Sequence, residues 1–153
     1  MNSPLRILVV DDDTDIRQIC ACVLTGSGYQ VDTAADGAAG WTALYASSYE
    51  SYGYDLLITD YNMPKLSGVG LIQKVRSARL ALPVILASGE VPGNTEELRL
   101  AALLRKPYSA GQLLDTVIRV LHTSSPAAAG AGEDLSPGIE QRAGPITFKN
   151  KTL

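Results

Sequence analysis

Histidine is nearly missing from this chain: His122 stands alone among 153 residues. A single imidazole near a helix end reads as a solvated surface residue, and its solitude removes His-based triads and His-rich metal sets. Cysteine is almost as scarce. Cys20 and Cys22 would face different directions on a helix and complete neither a CxxC pair nor a metal set, so they read as reduced thiols of a cytosolic protein. No apolar run approaches the roughly 20 residues of a membrane span. Met1 to Asp13 holds only the short run Leu5–Val10 before three acids, which is not a secretory leader. Positive charge is not in excess either. A net charge of −3 and an isoelectric point near 5.1 argue against a nucleic-acid binder held by phosphate contacts.

What is present suits one domain with a real core: 46% of the residues are hydrophobic and 19% charged. Residues 1–122 carry thirteen acids and ten bases, and residues 123–153 carry three of each. The second stretch is dominated by Ala, Gly, Pro and Ser and shows no hydrophobic period, which predicts a disordered or loosely attached tail. Its Ile146-Thr-Phe148-Lys piece, with the only Phe, is a candidate docking segment. A tail this short holds no output domain, so the sequence reads as a single-domain protein.

Within residues 1–122, short apolar runs alternate with helix-period segments. The runs are Leu5–Val10, Tyr29–Ala34, Asp55–Thr59, Pro83–Ala87 and Ala101–Arg105, and they suit strands buried on both faces of a parallel sheet. Helical faces gather Ile16, Ile19, Val23 and Leu24; Trp41, Leu44 and Tyr45; Leu71, Ile72 and Val75; and Leu113, Leu114, Val117, Ile118 and Leu121. Ser109 with Gln112 and Asn94 with Glu97 read as capping boxes, and the fourth helix looks short. The pattern predicts an α/β fold, a doubly wound five-stranded parallel sheet of flavodoxin-like (βα)5 type with strand order 2-1-3-4-5.

On that frame the polar residues collect at one rim. Asp11, Asp12 and Asp13 follow the first strand, Asp60 the third, Ser88 the fourth and Lys106 the fifth, at the carboxyl ends where open α/β sheets bind ligands. An Asp run before a helix is commonly just a cap cluster; the coincidence on one rim gives it weight. Neighbouring carboxylates at 4 Å repel by about 4 kcal/mol at an effective dielectric near 20. A bound cation relieves that, and an all-oxygen set suits Mg²⁺. A carboxylate nucleophile, a divalent cation, an ammonium and a hydroxyl are the parts needed to receive a phosphoryl group.

Ile7-Leu-Val-Val-Asp-Asp-Asp, Ile58-Thr-Asp60-Tyr-Asn-Met-Pro64, Pro83-Val-Ile-Leu-Ala-Ser88-Gly and Lys106-Pro107-Tyr resemble the receiver domain of bacterial two-component response regulators, across about residues 5–121. The resemblance implies that Asp60 is the phosphoacceptor. It implies that Mg²⁺ is held by Asp12, Asp60 and the backbone carbonyl of Asn62, with Asp11 acting through water. Ser88 would hydrogen-bond the phosphoryl group and Lys106 would pair with it. A cis peptide is implied between Lys106 and Pro107. Asn62 and Glu90, the positions that tune phosphoryl lifetime, look like the pair in the chemotaxis regulator and imply fairly quick self-dephosphorylation. Leu103 stands where the family often has the aromatic that moves with the hydroxyl at Ser88, so this switch pair departs from the pattern. Asp13 reads as helix-start charge, and Tyr108 as packing beneath the last helix. Implied partners are a sensor histidine kinase or a histidine phosphotransfer protein, with no nucleic acid and no membrane. The place of work is the cytoplasm, and the chain is not an enzyme beyond its own phosphorylation and dephosphorylation.

Two other readings use the same residues. Asp11-Asp-Asp13-Thr14 partly resembles the motif of haloacid dehalogenase-type phosphohydrolases, with Asp11 as nucleophile, though no later acidic pair follows the fourth strand. A receiver-like interaction module without phosphorylation keeps the fold and drops the chemistry.

Overall fold

The computed structural model describes residues 3–93 and 95–124. Five strands alternate with five helices: β1 (Arg6–Val10), α1 (Thr14–Gly26), β2 (Gln30–Ala34), α2 (Gly37–Ser47), β3 (Leu56–Asp60), α3 (Gly68–Ser77), β4 (Val84–Ser88), α4 (Thr95–Leu98), β5 (Ala102–Arg105) and α5 (Ala110–Ser124). All strand pairs are parallel, in the order β2-β1-β3-β4-β5, as the alternation predicts. The tail at 125–153, its docking segment at Ile146–Phe148 and the Asn94 half of the second capping box lie outside the described residues.

Strand alternation builds two cores from one sheet. Ile7, Val9, Leu56, Ile58, Ile85 and Ala87 face α1 and α5. Leu8, Val10, Leu57, Val84 and Leu86 face the side of α2 and α3. The expectation of strands buried on both faces holds for β1, β3 and β4 but not for β2 and β5. These two are the sheet edges, with one neighbour each, and Gln30, Thr33 and Arg105 are open to solvent. Three helix residues also depart from expectation. Ile118 is 46% exposed while Val120, unanticipated, is buried, because α5 turns that flank away from the sheet. Tyr45 is 52% exposed and stacks along the outside of α2 beside Trp41, which is only half-buried and lies under the Lys74 ammonium.

The helix starts are specified locally. Asp13 caps α1 by accepting from the Asp15 and Ile16 amides, a more specific role than the helix-start charge expected of it. Asp36 accepts from the Ala39 amide at α2, and Ser67 from Gly70 at α3. Ser109 and Gln112 form the reciprocal box at α5, each side chain accepting from the other's amide at 3.1 and 2.8 Å. Gly68 opens α3 so close to the sheet that a Cβ there would overlap the Asp60 carbonyl oxygen. Only glycine permits that approach, and the loop after β3 is thereby folded back on the rim. The short fourth helix is real: α4 has four residues.

At the opposite, amino-terminal end of the sheet, Arg6 ties β1 to its surroundings. It donates twice to Asp32 at 2.8 and 3.0 Å and once to Glu50 at 3.1 Å, and stacks 4.4 Å over the Tyr54 ring. Tyr54 itself donates to Asp32 at 2.8 Å, and burial followed by that carboxylate's charge pushes its hydroxyl up to about 12. Both cysteines are free thiols, Cys20 buried and Cys22 exposed. Cys20 Sγ lies 3.4 Å from the hydroxyl of Tyr108, which packs beneath α5. Among the described residues no helix is long and apolar enough to cross a membrane.

Candidate functional site

Parallel strands carry their carboxyl ends to one rim, and the register decides what meets there. Val10 pairs with Thr59, so Asp11 and Asp60 emerge side by side from neighbouring strands. Asp60 pairs with Ala87 and Ser88 with Arg105. The Lys106 amide then donates to the Ser88 carbonyl at 2.9 Å, closing the row. The residues singled out from the sequence are thus brought together across four strands.

The acids converge. One carboxylate oxygen each from Asp11, Asp12 and Asp60 lies within 4.8 Å of the others. Asp11 is buried, Asp12 exposed and Asp60 between them. Lys106 Nζ bridges two of them, at 3.1 Å from Asp11 Oδ2 and 3.1 Å from Asp60 Oδ1. Burial and then the charge of Asp11 hold the Asp60 carboxyl above its usual value, against the pull of Lys106. Burial alone would lower the Lys106 ammonium, but the two carboxylates outweigh it and hold it up. The oxygen-only donor set, crowded with negative charge and open to water on the Asp12 side, fits a hard divalent cation.

Backbone amides fix the acids. Asp11 Oδ1 accepts from the Asp13 amide at 2.9 Å, and Asp60 Oδ1 from the Tyr61 amide at 2.8 Å. Both Asp11 oxygens are therefore engaged, whereas Asp60 Oδ2 has no hydrogen-bond partner among the described residues. Ser88, buried at the end of β4, accepts from the Glu90 amide at 3.1 Å, leaving its own proton to donate. Asn62 and Glu90 are both exposed at the rim loops. Leu103 lies away from it, half-buried against the α2–α3 core. The Lys106–Pro107 peptide is cis.

One rim residue escaped the sequence reading. Arg17, at the end of the first turn of α1, donates to the Asp11 carbonyl at 2.7 Å and to Thr14 Oγ1 at 3.4 Å. A cation in the first turn opposes the helix dipole, and that misplacement was the available signal. The concavity of about 630 Å³ around Arg6 lies at the far end of the sheet from these acids.

Residues 7–118 match the family model described as the response regulator receiver domain. Response regulator RppA of Synechocystis is 37% identical over 126 residues, covering 80% of this chain and 52% of that protein. The chain thus spans about half the length of the curated relatives it matches. Among solved structures, chemotaxis protein CheY4 of Vibrio cholerae has a TM-score of 0.66 at 29% identity, covering 76% of this chain and 98% of that one. Response regulator TrrA of Thermotoga maritima, solved in complex with Mg²⁺ and BeF, has a TM-score of 0.66 at 26% identity, covering 76% of this chain and 98% of that one.

Proposed function

The chain belongs to the response regulator receiver family, a family of signalling proteins rather than enzymes, and from that premise we propose that Asp60 is its phosphoacceptor, charged by a sensor histidine kinase or a histidine phosphotransfer protein in the cytoplasm. The observation that carries this is the Asp60 carboxylate itself. It is half-buried beside Asp11 and Asp12, anchored through Oδ1 by Lys106 and the Tyr61 amide, with Oδ2 uncommitted.

Oδ2 attacks the phosphorus of a phosphohistidine. The P–N bond breaks, its electron pair stays on the departing imidazole, and an aspartyl phosphate forms. The lone His122 of these residues is on the last helix, away from the rim, and is not the donor. Lys106, already 3.1 Å from Asp60, is positioned to pair with the added phosphoryl charge, and the free Ser88 proton to donate to a phosphoryl oxygen. Mg²⁺ would be held by Asp12, Asp60 and the Asn62 carbonyl, with Asp11 through water, and would supply charge neutralisation on the phosphoryl oxygens. Arg17 holds the Asp11 backbone in place beneath that set.

Asn62 and Glu90 flank the acceptor with polar side chains that can orient an attacking water, which supports quick self-dephosphorylation. Leu103 supplies no hydroxyl or ring to follow Ser88, so the response does not use an aromatic at that position. Moving such a switch from 1:99 to 99:1 needs about 5.5 kcal/mol of differential stabilisation. The hydrolase reading puts the nucleophile at Asp11, whose two oxygens are both engaged, and loses support accordingly. The test is incubation with Mg²⁺ and acetyl phosphate followed by intact mass. Wild type gains one phosphoryl group and Asp60→Asn gains none; an unmodified wild type would favour a binding module without phosphorylation.

A further inference from the structure

The end of the sheet opposite Asp60 carries a second charged feature that phosphoryl transfer does not use. Arg76 on the last turn of α3, Arg79 just after it and Arg99 just after α4 border one concavity of about 500 Å³. No carboxylate lines it, and none of the three arginines makes a salt bridge among the described residues. In a chain of net charge −3 such a concentration of guanidinium runs against the composition.

Arg76 is built into place. Its Nε donates to the Leu98 carbonyl at 3.2 Å, Nη1 to Leu82 at 2.9 Å and Nη2 to Arg99 at 2.9 Å. Three of the five guanidinium protons are thus taken, and two remain to offer. Burial, and then the like charge of Arg99, hold this group below its ordinary value, a repulsion that an anion between them would relieve. Arg79 and Arg99 both sit in left-handed backbone, at φ of 57° and 52°, where each ends its helix and leaves its side chain exposed at the mouth.

The same wall has a neighbour of mixed character, aliphatic at Leu44, Leu80 and Leu82 and polar at Ser47, Ser48 and the Tyr54 hydroxyl. Leu80, Ala81 and Leu82 line the arginine concavity and also a second one, of about 140 Å³, whose other wall includes Leu44 and Tyr54. A cationic mouth and a notch with leucines on one wall therefore flank one short stretch of chain.

We propose that this face docks a linear segment of a partner protein in which acidic side chains flank an aliphatic one, the acids at Arg79 and Arg99 and the aliphatic side chain in the notch. The charge complementarity selects an acidic partner, and the notch selects a peptide over a simple polyanion. The face lies a full strand length, about 17 Å, from the carboxyl-end rim, so the contact holds the partner whether or not Asp60 is modified.

The experiment is fluorescence anisotropy with a fluorescein-labelled peptide of glutamates around a central leucine. Controls are the same peptide with serine for leucine, the same with lysines for glutamates, and a single-stranded oligonucleotide. Wild type should bind the glutamate–leucine peptide alike with and without Mg²⁺ and acetyl phosphate. Arg79→Gln/Arg99→Gln should bind it about fivefold to tenfold more weakly, from two exposed charge pairs, with an unchanged melting temperature. The serine peptide should bind more weakly and the lysine peptide not at all. Equal binding by wild type and the double variant, no binding by wild type, or equal binding of the serine peptide or the oligonucleotide would overturn the proposal.

Discussion

Replacing Asp60 by asparagine should stabilise the cation-free protein while abolishing its phosphorylation. The ionised carboxylate is held at a net cost. Burial of a half-buried carboxylate costs about 2 kcal/mol, a fraction of the several a full transfer would take. Asp11 repels it across at most 4.8 Å, about 3.5 kcal/mol at an effective dielectric near 20. Exposed Asp12 adds a screened remainder of about 1 kcal/mol. Against these, Lys106 attracts it across 3.1 Å, about 5.4 kcal/mol on the same scale. The balance leaves the charge destabilising by about 1 kcal/mol, in the same direction as the raised carboxyl. Asparagine keeps an oxygen for the Tyr61 amide, and Lys106 keeps Asp11. At pH 7 in EDTA the variant should therefore melt about 4 °C higher. The sign also sets the pH dependence. A carboxyl raised in the folded state binds its proton more tightly there, so the wild type loses stability as pH rises from the ordinary value of 3.8 through the folded one. The advantage of Asp60→Asn should be complete at pH 7 and gone at about pH 3. Mg²⁺ should close the gap at pH 7 by stabilising the wild type. Thermal or urea melts at the two pH values decide it. A variant less stable than wild type at pH 7 in EDTA, or a difference that ignores pH, would refute the reasoning.

Gly68→Ala should destabilise by about 1–3 kcal/mol and slow modification by acetyl phosphate, because the new methyl meets the Asp60 carbonyl and pushes the loop after β3 off the rim; urea melts and phosphorylation time courses measure both. Cys22 should react at once with an aromatic disulfide in native buffer, while Cys20 waits for unfolding. Cys20 is buried, and burial raises its thiol above the ordinary value; two equally fast thiols would contradict the packing at Tyr108.

Much of this was legible in the sequence for a physical reason: the rim is made by topology. Once alternating apolar runs imply a parallel sheet, residues just past the strand ends meet whatever their distance in the chain, so topology alone groups Asp11, Asp60, Ser88 and Lys106. Local signals served equally well at Asp13 and at Ser109 with Gln112, since caps act within three residues. The misses depend on packing that no period encodes. Ile118 and Val120 are both apolar, and only the roll of α5 against the sheet decides which is covered. The same holds for Tyr45, whose helix presents Leu44 to the core instead. Arg6 finds Asp32, Glu50 and Tyr54 across 26, 44 and 48 residues of chain, with no motif to announce the cluster. The arginine concavity likewise joins the ends of two helices, and appears in the sequence only as scattered basic residues.

Whether Asp60 is the residue that takes the phosphoryl group is tested directly by one measurement. The protein is treated with acetyl phosphate and Mg²⁺, reduced with borohydride, which converts an aspartyl phosphate to homoserine, and mapped by peptide mass spectrometry. The account predicts homoserine at position 60 and nowhere else among the rim acids. Homoserine at position 11, or an unreduced Asp60 in protein that has taken up phosphoryl, would contradict it.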